Sequence, residues 1–215
     1  MRCLLDKYHY KPEDIYNMDE TGYNPTQTQS TRVLVVGDGK RLKATKASSG
    51  RQEWVTTIEC ISASGRALSL LVIYSAKGSL NVQWIPQGGT TEGWRWTTSN
   101  KGWTNDNLSY AWLQDVFKPS TVSPSDPSTQ RRLLILDGHG SHVKPRFLGF
   151  CINHAIDVMV LPSHTSAITQ PLGVGVFGLL KAHMARLTDR GATYGHGRVS
   201  RELWASRLAL RNLWQ

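Results

Sequence analysis

The sequence has few cysteines and no long hydrophobic run, and each shortage excludes a class of protein. Its three cysteines, Cys3, Cys60 and Cys151, are odd in number and widely spaced, which indicates neither a disulfide framework nor a zinc pattern. The most apolar run, residues 67–74, is far shorter than the roughly 20 residues that a membrane-spanning helix needs. We therefore expect an intracellular globular chain that does not cross a membrane.

Acidic residues are also scarce, with 16 Asp and Glu against 25 Lys and Arg, for a net charge of +9 over 215 residues. Residues 31–51 carry six basic residues against one acid, and residues 181–215 carry seven against two. Such concentrated charge suits a nucleic acid, because neutralising phosphates releases counterions. A solvated basic face that binds nothing explains the same composition equally well. The candidate phosphate-binding residues are Arg32, Lys40, Arg41, Lys43, Lys46, Lys181 and Arg186.

The order of predicted elements indicates an α/β fold. Residues 53–76 predict two strands joined by a turn at Ser64 and Gly65, after an earlier short strand within residues 14–23. Residues 104–117 predict a helix capped by Thr104 or Asn105, and residues 35–40 a hairpin turn. The predicted order continues with a strand at 131–137, a helix from 144, a buried strand at 156–162 and a helix over 174–190. This succession favours a mixed sheet flanked by helices over a bundle or a sandwich.

Two carboxylates stand out by their surroundings. Asp19 lies within a predicted strand, and Asp137 ends an apolar strand that runs into "DGHGSH". A buried acid is costly to desolvate without a partner, and a shared divalent cation would serve both. The alternatives stay open: Asp19 could instead bond toward Gly22 in a turn, and Asp137 could cap the turn at Gly138.

Six motifs, in order and spacing, resemble a known family. They are "PEDIYNMDETGY", "KASSGRQEWVTTIECISASGRAL", "KGWTNDNLSYAWLQDVF", "RRLLILDGHGSHV", "LPSHTSAITQPL" and "VGVFGLLK". Together they resemble the catalytic domain of the pogo-like transposases of the mariner superfamily. This is the DDE-1 superfamily endonuclease group, common in fungi, with jerky-like and centromere-protein-B-like relatives.

The resemblance implies a ribonuclease H-like fold, a mixed five-stranded sheet flanked by helices, over residues 1–190. Residues 191–215 are expected to form a helical tail, and the helix-turn-helix DNA-binding region of the active relatives is expected to be absent. In the family, three acids hold two Mg²⁺ or Mn²⁺ ions roughly 4 Å apart around the scissile phosphate. Asp19 matches the first acid and Asp137 the second, so both are the predicted catalytic and metal-binding residues.

The third acid of the family follows "QPL", where this sequence has Gly173. Gly173 lies 36 positions after Asp137 (173 − 137), which is the spacing of the family, so only the carboxylate is missing. Nearby acids are poor substitutes: Glu20 should face the other side of its strand, and Asp157 precedes the whole turn. Asp189 lies 16 residues on, about 24 Å along a helix, and Glu202 lies further still. His139 and His142 could orient Asp137 or bind phosphate, or simply pack in the turn.

The functional expectation is a transposon-derived nucleic-acid-binding domain in the nucleus. Its ancestral reaction is metal-dependent cleavage and strand transfer of DNA, impaired by the loss at Gly173, with weak or incomplete Mg²⁺ or Mn²⁺ binding. DNA is the expected partner, and a homodimer is a further expectation. Two alternatives stay open: a non-catalytic DNA-binding or dimerisation scaffold, and a residual Mn²⁺-dependent nuclease that uses Asp19 and Asp137 alone.

Overall fold

The computed structural model describes residues 2–24, 54–86, 93–122, 130–162 and 169–193, together with Thr91 and Thr165. The predicted hairpin turn at 35–40 and the predicted tail beyond Thr193 lie outside these residues. So do five of the candidate phosphate-binding residues, Arg32, Lys40, Arg41, Lys43 and Lys46.

A mixed sheet of six strands runs through the described part of the chain. The strands are β1 (Ile15–Tyr23), β2 (Val55–Ser62), β3 (Leu71–Ser75), β4 (Arg95–Ser99), β5 (Arg132–Leu136) and β6 (Ile156–Val160). Their spatial order is β4-β3-β2-β1-β5-β6. Strands β1, β2 and β3 form an antiparallel meander, whereas β5 pairs parallel to both β1 and β6, and β4 pairs parallel to β3.

The predicted mixed sheet is confirmed, but the expected number of five strands is wrong. The additional strand is β4, whose sequence "RWTTS" is short and carries no alternation of apolar and polar residues. It is held in the sheet by tertiary contacts, because Trp96 stacks on Tyr74 of β3 with ring centroids 6.1 Å apart. Strand β6, expected to be buried, forms an edge of the described sheet, and Val160 at its end is 41% exposed.

Helices cover both faces of the sheet. They are α1 (Arg2–Tyr8), α2 (Asp106–Trp112), α3 (Lys118–Thr121), α4 (Pro145–Asn153) and α5 (Gly178–Thr193). A π-helical turn, Leu113–Phe117, joins α2 to α3, and a second, Gly173–Phe177, leads into α5. The predicted helices over 104–117, from 144 and over 174–190 are therefore confirmed.

Strict alternation along the strands gives the domain two apolar cores. Met18, Ile58 and Ile73 point to one face, where they pack with Trp112 of α2 and Phe147 of α4. Their neighbours Val72 and Tyr74 point to the opposite face, in a cluster that includes Met184 of α5. A residue of β1 therefore faces α2 and α4 if its number is even, and α5 if its number is odd.

The N-cap of α2 gives a modest stability prediction. The Asn105 Oδ1 atom accepts hydrogen bonds from the backbone N–H groups of Asn107 and Leu108, both at 3.1 Å. We expect Asn105→Ala to lower the free energy of unfolding by about 1 kcal/mol, because two helix N–H groups lose their acceptor. Urea denaturation measures this loss. Asn107→Ala, an exposed change in the same turn, is the control, and an equal loss in both variants would contradict the capping role.

Candidate divalent-metal site

The two acids singled out in the sequence lie on neighbouring parallel strands. Asp19 is the central residue of β1, and Asp137 directly follows β5. The β1–β5 register pairs Asn17 with Ile135, and extending it by two residues sets Asp137 beside Asp19. The carboxylate of Asp137 is close enough that its charge disfavours ionisation of Asp19. Two acids from distant parts of the sequence thus meet at the carboxyl end of the β5 strand.

Asp19 faces α5 from a partly buried position. Its Oδ1 atom accepts a hydrogen bond from the backbone N–H of Glu20 at 2.9 Å, rather than the bond toward Gly22 considered above. Burial raises the pKa of Asp19 to about 6, and this effect outweighs hydrogen bonds from Glu20 and Gln170 that favour the charged form. A carboxylate held in this way is one whose charge a bound cation would stabilise.

Gly173 lies directly beside Asp19. A Cβ atom built on Gly173 would lie 3.8 Å from the Oδ2 atom of Asp19, and 3.6 Å from the Cγ atom of Gln170. These are ordinary van der Waals distances, so a side chain fits here without displacing a neighbour. The structure therefore places Gly173, the position to which the family resemblance assigns a third acid, next to Asp19.

Asn17 and Gln170 fix the chain segment that carries Gly173, and sequence reasoning missed both. The side-chain amide of Asn17 donates to Gln170 Oε1 at 3.2 Å and to the carbonyl of Ile135 at 3.2 Å. The Oδ1 atom of Asn17 accepts from the backbone N–H of Leu172 at 3.1 Å, and Gln170 donates to the Met18 carbonyl at 3.0 Å. An Asn two residues before Asp19 on the same strand face was the available signal.

His142 connects Asp137 to Glu20. The imidazole is 2% exposed, with Nδ1 lying 3.1 Å from Asp137 Oδ1 and Nε2 lying 3.2 Å from Glu20 Oε1. Burial alone would lower the pKa of His142, but the hydrogen bonds with the two carboxylates outweigh it and raise the pKa to about 9. In turn, the hydrogen bond with His142 lowers the pKa of Asp137. Glu20 thus lies on the opposite face of β1 from Asp19, as expected, yet it reaches the site through His142.

The other predicted residues occupy different places. His139 is exposed; its backbone N–H donates to Asp137 Oδ1 at 3.1 Å, and its ring Nδ1 atom lies 2.8 Å from Ser141 Oγ. Asp137 therefore caps the turn that follows β5, as considered above, and also lies beside Asp19. Asp157 binds Arg131 through both carboxylate oxygens, at 2.7 and 2.8 Å, and is not directed at the site. Lys181 and Arg186 are exposed on α5.

The donors present suit a hard divalent cation in kind but fall short in number. Carboxylate oxygens are the ligands that Mg²⁺ prefers, and one or two of them with water form a typical site. Asp19 and Asp137 supply such oxygens, and the open position beside Asp19 at Gly173 supplies none. Among the described residues, no three Asp, Glu, His or Cys side chains form a group able to hold a metal ion.

The raised pKa of Asp19 predicts a stability gain on its removal. The ordinary pKa of the carboxyl is 3.8 and its pKa in the folded protein is about 6. Ionisation of Asp19 therefore lowers the free energy of unfolding, with the full effect above pH 6 and none below pH 3.8. We expect Asp19→Asn to stabilise the metal-free protein by about 1–2 kcal/mol at pH 7.5, because it removes the partly buried charge. The Asn side chain keeps an oxygen that can accept the hydrogen bond from the Glu20 N–H. Urea denaturation with a chelator present measures the gain.

The pH dependence separates this cause from others. The difference between Asp19→Asn and the original protein should disappear near pH 4. The exposed Glu13, in the turn before β1, provides the control, since Glu13→Gln also replaces one acid by its amide. A gain that persists at pH 4 would show that ionisation of Asp19 is not its cause.

Comparison with known proteins identifies the family. The family model described as "DDE superfamily endonuclease" matches residues 51–202, most of the chain. The fold is also that of mariner transposase structures, described as a pre-cleavage Mos1 transpososome and as a Mos1 paired end complex with Mn, each with a TM-score of 0.59. Identity to them is 10% and 11%, over 97% and 96% of this chain and 56% and 55% of theirs. The chain belongs to the DDE superfamily endonucleases, and its fold is ribonuclease H-like.

One relative of this chain is a much longer protein, and the similarity is confined to a small part of it. It is called MFS-type transporter clz9, from Cochliobolus lunatus, and is 31% identical over 180 residues. The alignment covers 84% of this chain but only 19% of the relative. In the described part of this chain, none of the helices combines the length and apolar character needed to cross a membrane.

Proposed function

We propose that this domain binds DNA, and that its ancestral reaction is the divalent-metal-dependent cleavage and strand transfer of DNA phosphodiesters in a pogo-like element. The observation that supports this most directly is the pairing of Asp19 and Asp137 on adjacent strands, beside a helix entry. A Cβ atom on Gly173 would lie 3.8 Å from Asp19 Oδ2 at that entry. We further propose that the reaction is weakened here, because the position of the third acid carries no carboxylate.

The residues of the chain have separate tasks in this proposal. A divalent cation bound at the site would polarise the scissile phosphate and favour formation of the attacking oxygen nucleophile. Asp19 and Asp137 would hold it, and His142 keeps the Asp137 carboxylate ionised and fixed in orientation. Asn17 and Gln170 hold the helix entry against β1, which sets the distance between that entry and Asp19.

The proposed partner is DNA, contacted mainly through phosphates. The net charge of +9 favours association with a polyanion, and Lys181 and Arg186 are exposed on the helix that follows the site. The Mos1 structures with this fold are transposase assemblies, including one described as a strand transfer complex, in which this chain covers 55% of the other. A nuclear location and a homodimer are part of the same proposal, because both suit a protein that acts on two ends of a DNA segment.

Cleavage of DNA tests the proposal. The purified chain is incubated with supercoiled plasmid and Mn²⁺ or Mg²⁺, and nicked and linear products are measured. We expect salt-sensitive DNA binding and slow Mn²⁺-dependent nicking that Asp137→Asn abolishes, with binding retained. Nicking that persists unchanged in Asp137→Asn would come from a contaminant or another site and would contradict the assignment.

A non-catalytic scaffold is the second candidate function, and the glycine at position 173 favours it. The helix entry still docks on β1 through Asn17 without the third carboxylate. A surface for binding DNA phosphates therefore does not depend on completing the metal site. Salt-sensitive DNA binding with no cleavage at any Mn²⁺ concentration would establish this function over the first. Loss of both activities would contradict both.

A further inference from the structure

Two tryptophan rings, those of Trp54 and Trp103, pack against each other near the carboxyl end of β1. Their centroids lie 5.2 Å apart, and the planes of the rings are tilted by 34°. A Cβ atom built on Gly22 of β1 would lie 3.2 Å from Trp54 Cζ3 and 3.3 Å from Trp103 Cη2. Contacts this short are tighter than Cβ atoms usually make, so a side chain at position 22 would push the rings away. Gly22 thus lets the aromatic pair lie directly on the strand.

Backbone contacts fix the two segments that carry these rings. The Trp54 carbonyl accepts a hydrogen bond from the Ser75 N–H at 3.0 Å. The Trp103 carbonyl accepts one from Ser99 Oγ at 2.8 Å. Gly102, at φ +75°, passes so close to the other segment that a Cβ atom would lie 2.9 Å from the Trp54 carbonyl oxygen. The fold therefore sets the position of Trp103 before any ligand binds, which lowers the entropic cost of binding.

Trp103 keeps much of its surface in contact with solvent. It is 48% exposed, and within the described residues it is the one aromatic side chain among the exposed large apolar ones. The neighbouring Trp94 and Trp96 instead pack in the core cluster on the α5 side of the sheet. A flat ring that is fixed in place and open to solvent is suited to stack against another flat ring.

The aromatic pair lies beside the candidate metal site. Gly22 and Glu20 share one face of β1 and are two residues apart, which is about 7 Å along a strand. Glu20 is hydrogen-bonded to His142, and His142 is hydrogen-bonded to Asp137. Trp103 therefore lies within a few nucleotides of a phosphate bound at Asp137, since stacked nucleotides repeat about every 3.4 Å.

The charges close to Trp103 in the chain favour a nucleic acid. Lys101 is exposed two residues before the ring, and the nearest acid along the chain is Asp106. The Asp106 carboxylate lies 3.6 Å from Lys144 Nζ, so a cation offsets its charge. A nucleobase joined to a phosphate therefore matches both the apolar ring and its basic surroundings.

We propose that Trp103 stacks against an unpaired base of a single-stranded DNA segment that continues to the site at Asp19 and Asp137. This inference rests on the proposed function, because it specifies which form of DNA the same domain holds. In a duplex, neighbouring base pairs cover the faces of each base, whereas an unpaired base can offer a face to an aromatic side chain. The ligand is therefore a single strand rather than an intact duplex.

Binding of a fluorescein-labelled oligothymidylate of about 12 nucleotides, followed by anisotropy in a chelator, tests the inference. We expect Trp103→Ala to raise the Kd by about tenfold, as loss of one base–aromatic stack does. The slope of log Kd against log salt should stay the same, because stacking neutralises no phosphate. Affinity for a blunt duplex of the same length should also be unchanged. Ile152→Ala, which removes another exposed apolar side chain, is the control and should leave the Kd for both probes unchanged.

An abasic oligonucleotide with the same number of phosphates separates stacking from other effects. Trp103→Ala should not weaken binding of this probe, and an equal loss on both probes would overturn the inference. Trp103→Phe should keep most of the affinity for oligothymidylate, whereas Trp103→Leu, which is apolar but not flat, should lose it. Thermal unfolding shows which variants fold. Should Trp103→Ala fail to fold, the Phe and Leu variants carry the test, and equal affinity in these two would overturn the inference.

These measurements also distinguish failure of this inference from failure of the proposed function. If the original chain binds neither the single strand nor the duplex, the proposed binding of DNA is wrong. If it binds both, and Trp103→Ala binds oligothymidylate equally well, only the stacking role is wrong. Self-association that Trp103→Ala abolishes, with an unchanged affinity for DNA, would mean that the ring contacts a second copy of the chain, and would also overturn the inference.

Discussion

Gly173→Asp is expected to raise the affinity for Mn²⁺ by about 100-fold, because it adds a ligand of the first coordination sphere rather than an outer contact. The Cβ atom of the new side chain meets only ordinary contacts, and one of them, at 3.8 Å, is Asp19 Oδ2. Mn²⁺-dependent nicking of plasmid DNA should rise together with the affinity. Calorimetry and the nicking assay measure the two quantities on the same preparations.

Two control variants isolate the role of the new carboxylate. Gly173→Asn has the same shape without the charge, and Gly178→Asp adds the charge further along, where a Cβ atom contacts nothing within 4 Å. Neither should raise the affinity. In a chelator, Gly173→Asp should be less stable than Gly173→Asn, because two carboxylates then lie close together without a cation. An equal rise in affinity for Gly178→Asp would show that added negative charge, rather than ligation, is responsible.

The sequence predicts the local elements of this fold well and the long-range ones less well. The turn between β2 and β3 can be recognised in the sequence because Gly65 lies between two apolar runs. In the structure Gly65 has φ +91°, a conformation that glycine adopts readily. Strand β4 is not visible, because "RWTTS" becomes a strand only through parallel pairing with β3, more than twenty residues earlier in the chain. That pairing depends on packing of Trp96 against Tyr74, which no local pattern encodes.

For the candidate site, the motifs predict which residues matter but not how they are connected. Asp19, Asp137 and Gly173 come from the family spacing, and the structure brings them together. The alternation rule correctly turns Glu20 away from Asp19, yet it cannot show that His142 links Glu20 to Asp137 from the other face.

Loss of the imidazole at position 142 is expected to destabilise the domain strongly. In His142→Ala, the carboxylates of Glu20 and Asp137 lose the buried imidazole that is hydrogen-bonded to both of them. Phe147 loses its contact with the same ring. Removing one partner from a buried charge cluster commonly costs several kcal/mol, and we expect about 3 kcal/mol at pH 6. Urea denaturation of the two proteins measures the difference.

The pH dependence of this loss identifies its electrostatic part. The pKa of His142 is 6.5 when unfolded and about 9 when folded, so the imidazolium contributes fully below pH 6.5 and its contribution disappears as the pH rises through 9. The difference between the original protein and His142→Ala should therefore shrink between pH 6.5 and 10, leaving only the packing part. His139→Ala, at an exposed neighbouring ring, should show little loss at any pH. A His142→Ala penalty that is the same at pH 6 and pH 10 would mean that His142 stabilises the site by packing alone, without a charge that holds Asp137 in place.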